Sequence, residues 1–382
     1  MNNPSSDKLR LAPTFPTQFF LWPFIAASEA VAAQAGGLAR LMTEACGEPD
    51  RRAKPEWTTP NHVRLELATM ELRDFSTASE GVATLVCAPF ALHGATISDF
   101  ATGHSLVQTL ADNGCHRVFV TDWRSATPDM RLLTIDNYLA ELNVAVDEIG
   151  APVDLLGLCQ GGVVALIYAA RFPSKVRKLV LAGAPIDMDA SASLLSVTAR
   201  NLPLGVFDEI SRLGEGRVLG QRVIDLWGPA LHGQEGAIAL QIGARDDSEA
   251  AALLQRFRTW YDWTVELPGA YYHQTVLWLF KENRLAEGRF AALGREIDLS
   301  EVRHPLFLLA ARDGELVAPE QLMAVRRLVG TEPEEIESIV EPCGHLGLFI
   351  GAASLAGGWS RAAGWLAQSA STYVPGASQR AA

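Results

Sequence analysis

Val153-Asp154-Leu155-Leu156-Gly157-Leu158-Cys159-Gln160-Gly161-Gly162 is the stretch that decides the fold. An apolar run of strand length passes directly into G-x-C-x-G-G, and then into the apolar helix-forming segment Val163–Ala170. Strand, sharp turn and helix in that order make a nucleophile elbow, here with cysteine in place of serine. The turn is tight, so side chains two positions before and after the nucleophile would clash with neighbouring backbone. Gly157 and Gly161 remove them. The geometry lifts the Cys159 sulfur above the C-terminal edge of a sheet and sets it at a helix N-terminus. There the partial positive charge is expected to favour thiolate over thiol. The backbone N–H of Gln160 is expected to point where an oxyanion forms. The plainer reading, a buried structural cysteine before a Gly-rich turn, is weakened by the strand–turn–helix setting.

Outward from the elbow, the pattern alternates strand and helix. Short apolar runs bounded by breakers predict buried strands at Ala83–Ala88, Arg117–Thr121, Val153–Leu158, Lys178–Ala182, Pro305–Ala310 and Ile336–Val340. Helical stretches are expected at Ser98–Asn113, Ile135–Ile149 and Gly162–Arg171. Such alternation predicts an α/β fold with a doubly wound, mostly parallel sheet. Residues 187–295 interrupt it: they hold no clear strand but many aromatics, including Trp227, Trp260, Tyr261, Trp263, Tyr271, Tyr272 and Trp278. An insertion of that length reads as a helical cap or lid. The expected organisation is an N-terminal arm (1–60), a core of 61–186 with 296–372, the cap between them, and a disordered tail (373–382).

A base should follow the last strand, since in this fold the chain order is nucleophile, acid, histidine. His345, in Pro342-Cys343-Gly344-His345-Leu346-Gly347, fits both position and order. His62, His116, His232 and His304 fit worse. The acid should follow Pro305–Ala310, where both Asp313 and Glu315 stand. Asp313, nearer the strand end, is favoured by loop position; Glu315 is the alternative. The loop Pro89-Phe90-Ala91-Leu92-His93-Gly94 should lend the second oxyanion N–H, with Phe90 as candidate. His93 either lines the site or starts a helix.

The formal charge of −12 offers no basic field for nucleic acid. The five cysteines, Cys46, Cys87, Cys115, Cys159 and Cys343, show no metal-ligand spacing and no CxxC. A reducing cytoplasm is the simpler reading. Lys8 and Arg10 precede the apolar run Phe19–Ala27, as in a signal peptide, but Pro23 and Glu29 break it early. The alternative is an amphipathic helix over Phe19–Met42, packed on the domain or on an apolar surface. Phe15–Ile25 carries seven large apolar residues, more than a solvent-exposed arm tolerates, so it is expected either to pack on the domain or to dock on an apolar surface.

These residues resemble the polyhydroxyalkanoate synthase and intracellular polyhydroxybutyrate depolymerase group over roughly residues 80–350. Leu155 to Gly162 is similar to the synthase box, as are Asp122-Trp123-Arg124 and Thr134-Ile135-Asp136-Asn137-Tyr138. Ala88-Pro89 with His93 and Ala95-Thr96, Leu267-Pro268 with Tyr271-Tyr272 and Thr275-Val276, and Gly344-His345-Leu346-Gly347-Leu348-Phe349 look more like the depolymerases. The resemblance implies an α/β-hydrolase fold and a Cys–Asp–His triad of Cys159, Asp313 and His345. Such a family places its aspartate three residues before an Ile/Val, but counting back from Val317 lands on Gly314, which leaves Glu315 open.

The implied activity is ester or thioester hydrolysis of 3-hydroxyalkanoate polyester or oligomers. Polymer synthesis from a CoA thioester is the alternative, and a non-catalytic granule-binding protein a third. No cofactor is implied beyond CoA as part of a substrate. The implied partners are a hydrophobic polyester or acyl substrate, a granule surface, and a homo-oligomer or partner subunit.

Overall fold

The computed structural model describes residues 53–220, 238 and 242–368. The segment Phe15–Ile25, the helix expected over Phe19–Met42, Cys46, Trp227 and the tail 373–382 lie outside them.

The core is an eight-stranded sheet: β1 (His62–Glu66), β2 (Met70–Asp74), β3 (Thr84–Cys87), β4 (Val118–Trp123), β5 (Val153–Leu158), β6 (Val176–Ala182), β7 (Leu306–Ala311) and β8 (Ile336–Glu341). Their order is β1-β2-β4-β3-β5-β6-β7-β8. The β1–β2 and β2–β4 pairs are antiparallel, and the rest are parallel. Every residue of β3, β4, β5 and β7 is buried, as expected of strands covered by helices on both faces. The strand order reverses between β3 and β5. In open α/β sheets ligands bind at the carboxyl ends of strands beside such a switch point.

Three helices frame that point: α1 (Leu106–Asp112), α2 (Ile135–Ile149) and α3 (Gln160–Arg171). Gln160 to Ala169 are all buried, so α3 is an internal helix locked behind β5. Gly162 lets it sit close, because a Cβ there would lie 2.5 Å from Ala184 Cβ.

The helix expected over Ser98–Asn113 is shorter. Residues 99–105 form a small hairpin, β-paired through Asp99–Ala101 and His104–Ser105, and α1 begins only at Leu106. The buried Asp99 carboxylate explains this. It accepts hydrogen bonds from the Thr58 and Thr59 N–H groups and from the Thr59 and Ser105 hydroxyls, which ties the loop to the incoming chain. Ser105 also caps α1 by accepting from Gln108 N–H. The β1–β2 hairpin lies outside the expected apolar runs.

Between β6 and β7 the described residues form α4 (Leu194–Asn201), α5 (Leu204–Leu213), α6 (Asp247–Asp262) and α7 (Gly269–Gln274), which continues as a π-helical turn to Lys281. Two-residue strands also occur here: Arg217–Val218 pairs with Leu267–Pro268, and Ala291–Ala292 with Arg295–Glu296. Trp260, Tyr261, Tyr271 and Tyr272 are buried, and Trp263 and Trp278 are partly so.

Candidate active site

Cys159 occupies the turn between β5 and α3 with φ 49° and ψ −120°. A non-glycine residue in that region carries strain of order 1–3 kcal/mol, held here by its surroundings. Its N–H donates to Ala182 O (2.8 Å) and its carbonyl accepts from Gly162 N–H (2.9 Å). The flanking glycines are obligatory on steric grounds. A Cβ on Gly157 would lie 2.3 Å from Gly162 Cα, and one on Gly161 would lie 2.2 Å from Cys87 O.

The sulfur is buried, with Cys159 only 7% exposed. The Gln160 backbone N–H donates to it and lowers its pKa, but desolvation is the larger effect and pushes the thiol up to about 12. Desolvation thus opposes the thiolate that the helix N-terminus was expected to favour. Both effects act on the same sulfur, burial raising its pKa and the Gln160 N–H lowering it.

His345 opens α8 (His345–Ile350), directly after β8. It is 3% exposed, and burial pushes its imidazole down to about 4. Its ring meets Phe349 edge-on at 5.2 Å. Gly183, at the end of β6 with φ +56°, leaves it room, since a Cβ there would lie 3.1 Å from His345 Cε1. Cys159 and His345 line one pocket with Pro89, Ala91, His93, Ile97, Leu158, Trp260, Leu316 and Phe349. The walls are almost wholly apolar, as suits an acyl group.

The two candidate acids part company. The Asp313 carboxylate turns to solvent, 55% exposed, and pairs with Arg312 at 3.3–3.4 Å. Glu315 is half-buried, and its carboxylate accepts the backbone N–H of His345. Burial raises its pKa, with a smaller contribution from the neighbouring Asp313 charge. Of the two candidates, Asp313 stands on the solvent side of the loop and Glu315 on the side of the His345 backbone.

Phe90 stands at the predicted loop, but its ring points away from the pocket. It packs on Trp123, Tyr138 and Tyr271 at 4.8–6.0 Å, so only its backbone could serve the site. His93 faces the pocket and does not cap the following turn, whose N-cap is Gly94. Its ring packs at a tilt on Trp260 (4.6 Å) and Tyr261 (4.9 Å), and burial pushes its imidazole down to about 3. Ile97, Trp260, Leu316 and Phe349 were not singled out as site residues from the sequence. Trp260 comes from the last turn of a helix far along the chain, and no local pattern marks it. Among the described residues no group of three or more His, Cys, Asp or Glu side chains is placed to hold a metal ion. Nor is any helix there long and apolar enough to cross a membrane.

An eight-stranded sheet in this order, with a nucleophile elbow after its fifth strand and a histidine after its last, defines a class of proteins. The α/β hydrolase fold family matches residues 93–352, and the chain belongs to that family. More particularly, it is similar to proteins named poly(3-hydroxyalkanoate) polymerase subunit PhaC. It is 26% identical to that of Allochromatium vinosum over 260 residues, 66% of this chain and 72% of that protein. It is 29% identical to that of Synechocystis sp. over 280 residues, 66% of this chain and 69% of that one. With that of Haloferax mediterranei the identity is 24% over 334 residues, 82% of this chain and 65% of the relative. Among solved structures, a monoacylglycerol lipase of Paleococcus ferrophilus superposes with a TM-score of 0.52 at 13% identity. That match covers 78% of this chain and 98% of the lipase, and it speaks to the fold alone.

Proposed function

We propose that this chain is a cysteine acyltransferase of polyhydroxyalkanoate synthesis, moving 3-hydroxyacyl groups from a CoA thioester to the hydroxyl end of a growing polyester. Several loop segments resemble the depolymerases and lean to hydrolysis. The relatives that carry the polymerase name support the synthase alternative instead.

The observation that carries the proposal is the burial of Cys159 with His345 in an apolar pocket. His345, neutral at rest, takes the thiol proton as the sulfur attacks the thioester carbonyl. The oxyanion rests on the Gln160 N–H and on a backbone N–H of the Pro89–Ala91 loop. The tetrahedral intermediate collapses, the carbon–sulfur bond to CoA breaks, and the proton from His345 leaves with CoA. An incoming chain hydroxyl then gives its proton to His345, attacks the acyl-cysteine and regenerates the thiol. Glu315 holds the loop bearing the imidazole and stabilises its charged form. A pocket that excludes water favours the chain hydroxyl over hydrolysis in the second half. The proposal extends to a granule-surface location and to a partner subunit or second copy.

The test is to incubate the purified protein separately with 3-hydroxybutyryl-CoA and with amorphous polyester. The expected result is CoA release without matching free acid, polymer accumulation, and little acid from the polyester. Stoichiometric 3-hydroxybutyrate in either assay would return the function to hydrolysis.

A further inference from the structure

Besides Cys159 and His345, the lining of the catalytic pocket among the described residues carries only two polar side chains, the His93 imidazole and the Trp260 indole. The indole N–H already donates to Gly94 O (3.1 Å). His93 is therefore the one with hydrogen-bonding capacity left. The Trp263 backbone carbonyl takes up one ring N–H, from the segment whose Thr264 pairs with His93. Nδ1 is the ring nitrogen sealed inside the protein, so a bond to a ligand falls to Nε2. A neutral imidazole nitrogen either donates or accepts, and a hydroxyl answers both.

The chain holds this ring in place at the expense of strain. His93 N–H donates to Ala91 O (2.8 Å), closing a γ-turn about Leu92 at φ +66°. Such a turn is rare and strained for a residue other than glycine. The Leu92 carbonyl accepts Val265 N–H (2.6 Å), and the imidazole packs on both Trp260 and Tyr261. Backbone and rings together leave it little freedom, as suits a group that orients a substrate.

We infer that His93 recognises the 3-hydroxyl of the acyl group. The inference rests on the acyl-transfer reading above. A 3-hydroxyacyl group differs from a plain acyl group by that one hydroxyl, two carbons from the carbonyl that Cys159 attacks. Its partner must therefore stand in the same pocket as the sulfur, as His93 does. Bound to Nε2, the hydroxyl keeps a hydrogen bond on leaving water, and the chain is held with its carbonyl at Cys159. A plain acyl chain fills the same apolar space but leaves the imidazole unpaired, which is how a site rejects an analogue that lacks a hydroxyl.

Single-turnover CoA release from 3-hydroxybutyryl-CoA and from butyryl-CoA, which lacks only the hydroxyl, tests this. The unsubstituted protein should acylate Cys159 about ten- to a hundredfold faster, as a second-order rate constant, with the hydroxyl-bearing thioester. His93→Phe keeps an aromatic ring against Trp260 and Tyr261 but offers no nitrogen. It should bring the ratio of the two rate constants to within about threefold of one. His93→Gln, which returns a donor and an acceptor, should recover part of the ratio. A merely structural histidine would slow both thioesters together. An unchanged ratio in His93→Phe therefore overturns the inference, and so does a ratio near one in the unsubstituted protein, a measurement that depends on no variant folding. Either result leaves acyl transfer standing. An unsubstituted protein that releases CoA from neither thioester overturns the acyl-transfer reading, and the role of His93 with it.

Discussion

The Glu315 carboxylate accepts the backbone N–H of His345, while Asp313, two residues earlier, faces solvent beside Arg312. The loop after β7 explains the difference. Gly314 N–H closes a turn onto Ala311 O (3.2 Å), and a Cβ at Gly314 would lie 2.7 Å from Val317 O. The chain therefore doubles back at once. The first carboxylate past the strand is thrown outward, and the second comes under the histidine loop.

Glu315→Gln should therefore lower turnover of the acyl thioester by about 10⁴-fold, the loss seen when the carboxylate orienting a catalytic histidine is neutralised. Asp313→Asn, which touches only an exposed ion pair, should stay within about twofold. CoA release at saturating substrate gives the ranking. The opposite order would hand the role to Asp313.

Cys159→Ala should abolish the covalent acyl-enzyme seen by intact-protein mass spectrometry and cut turnover by several orders of magnitude. The resting thiol, held up to about 12 by burial, should also alkylate with iodoacetamide at pH 7 more slowly than free glutathione. Fast alkylation would mean that Cys159 rests as a thiolate, and that the helix N-terminus outweighs desolvation after all.

What the sequence makes legible follows from how local the physics is. The elbow is a local object, because Gly157, Cys159 and Gly161 each answer a clash within a few residues or with the adjoining strand. β5 and α2 accordingly match their expected bounds, Val153–Leu158 and Ile135–Ile149. The β1 segment His62–Glu66 alternates half-exposed and exposed side chains, so it carries no continuous apolar run to mark it as a strand. The stop before α1 is set by Asp99 reaching Thr58 and Thr59 some 40 residues away, which a local helical pattern cannot register. Which carboxylate faces the histidine loop depends on a turn at Gly314 that no local pattern marks, and the place of Trp260 in the pocket on how a distant helix packs.

The glycine argument can be tested apart from the chemistry. Gly157→Ala and Gly161→Ala place a methyl against backbone atoms that have nowhere to go, and each should destabilise the protein by about 3 kcal/mol or more. Gly364, within the helix Ser360–Ala367, offers the control. A Cβ there meets nothing within 4 Å, so Gly364→Ala should stabilise by about 0.5–1 kcal/mol through better helix propensity. Urea midpoints decide it. Elbow variants as stable as the parent would mean that the turn can relax.

Acid should destabilise the fold through its buried histidines. Burial holds His93 at about 3 and His304 and His345 at about 4, against an ordinary 6.5. The unfolded chain takes up these protons as the pH falls through 6.5, and the folded one resists until about 4. In that window the unfolded state binds more protons, so stability is fully present above 6.5 and is lost as the pH falls. The buried carboxyls of Asp122, Asp154 and Glu315, raised by desolvation, pull the other way, so a difference is the cleaner measurement. His304 is remote from the Cys159 pocket lining and can be changed without touching it. His304→Leu should reduce the slope of unfolding free energy against pH, between pH 6 and 5, by about 1.4 kcal/mol per pH unit, the value for one proton. Urea denaturation at pH 7, 6 and 5 gives both slopes. An unchanged slope would mean that His304 is protonated in the folded protein.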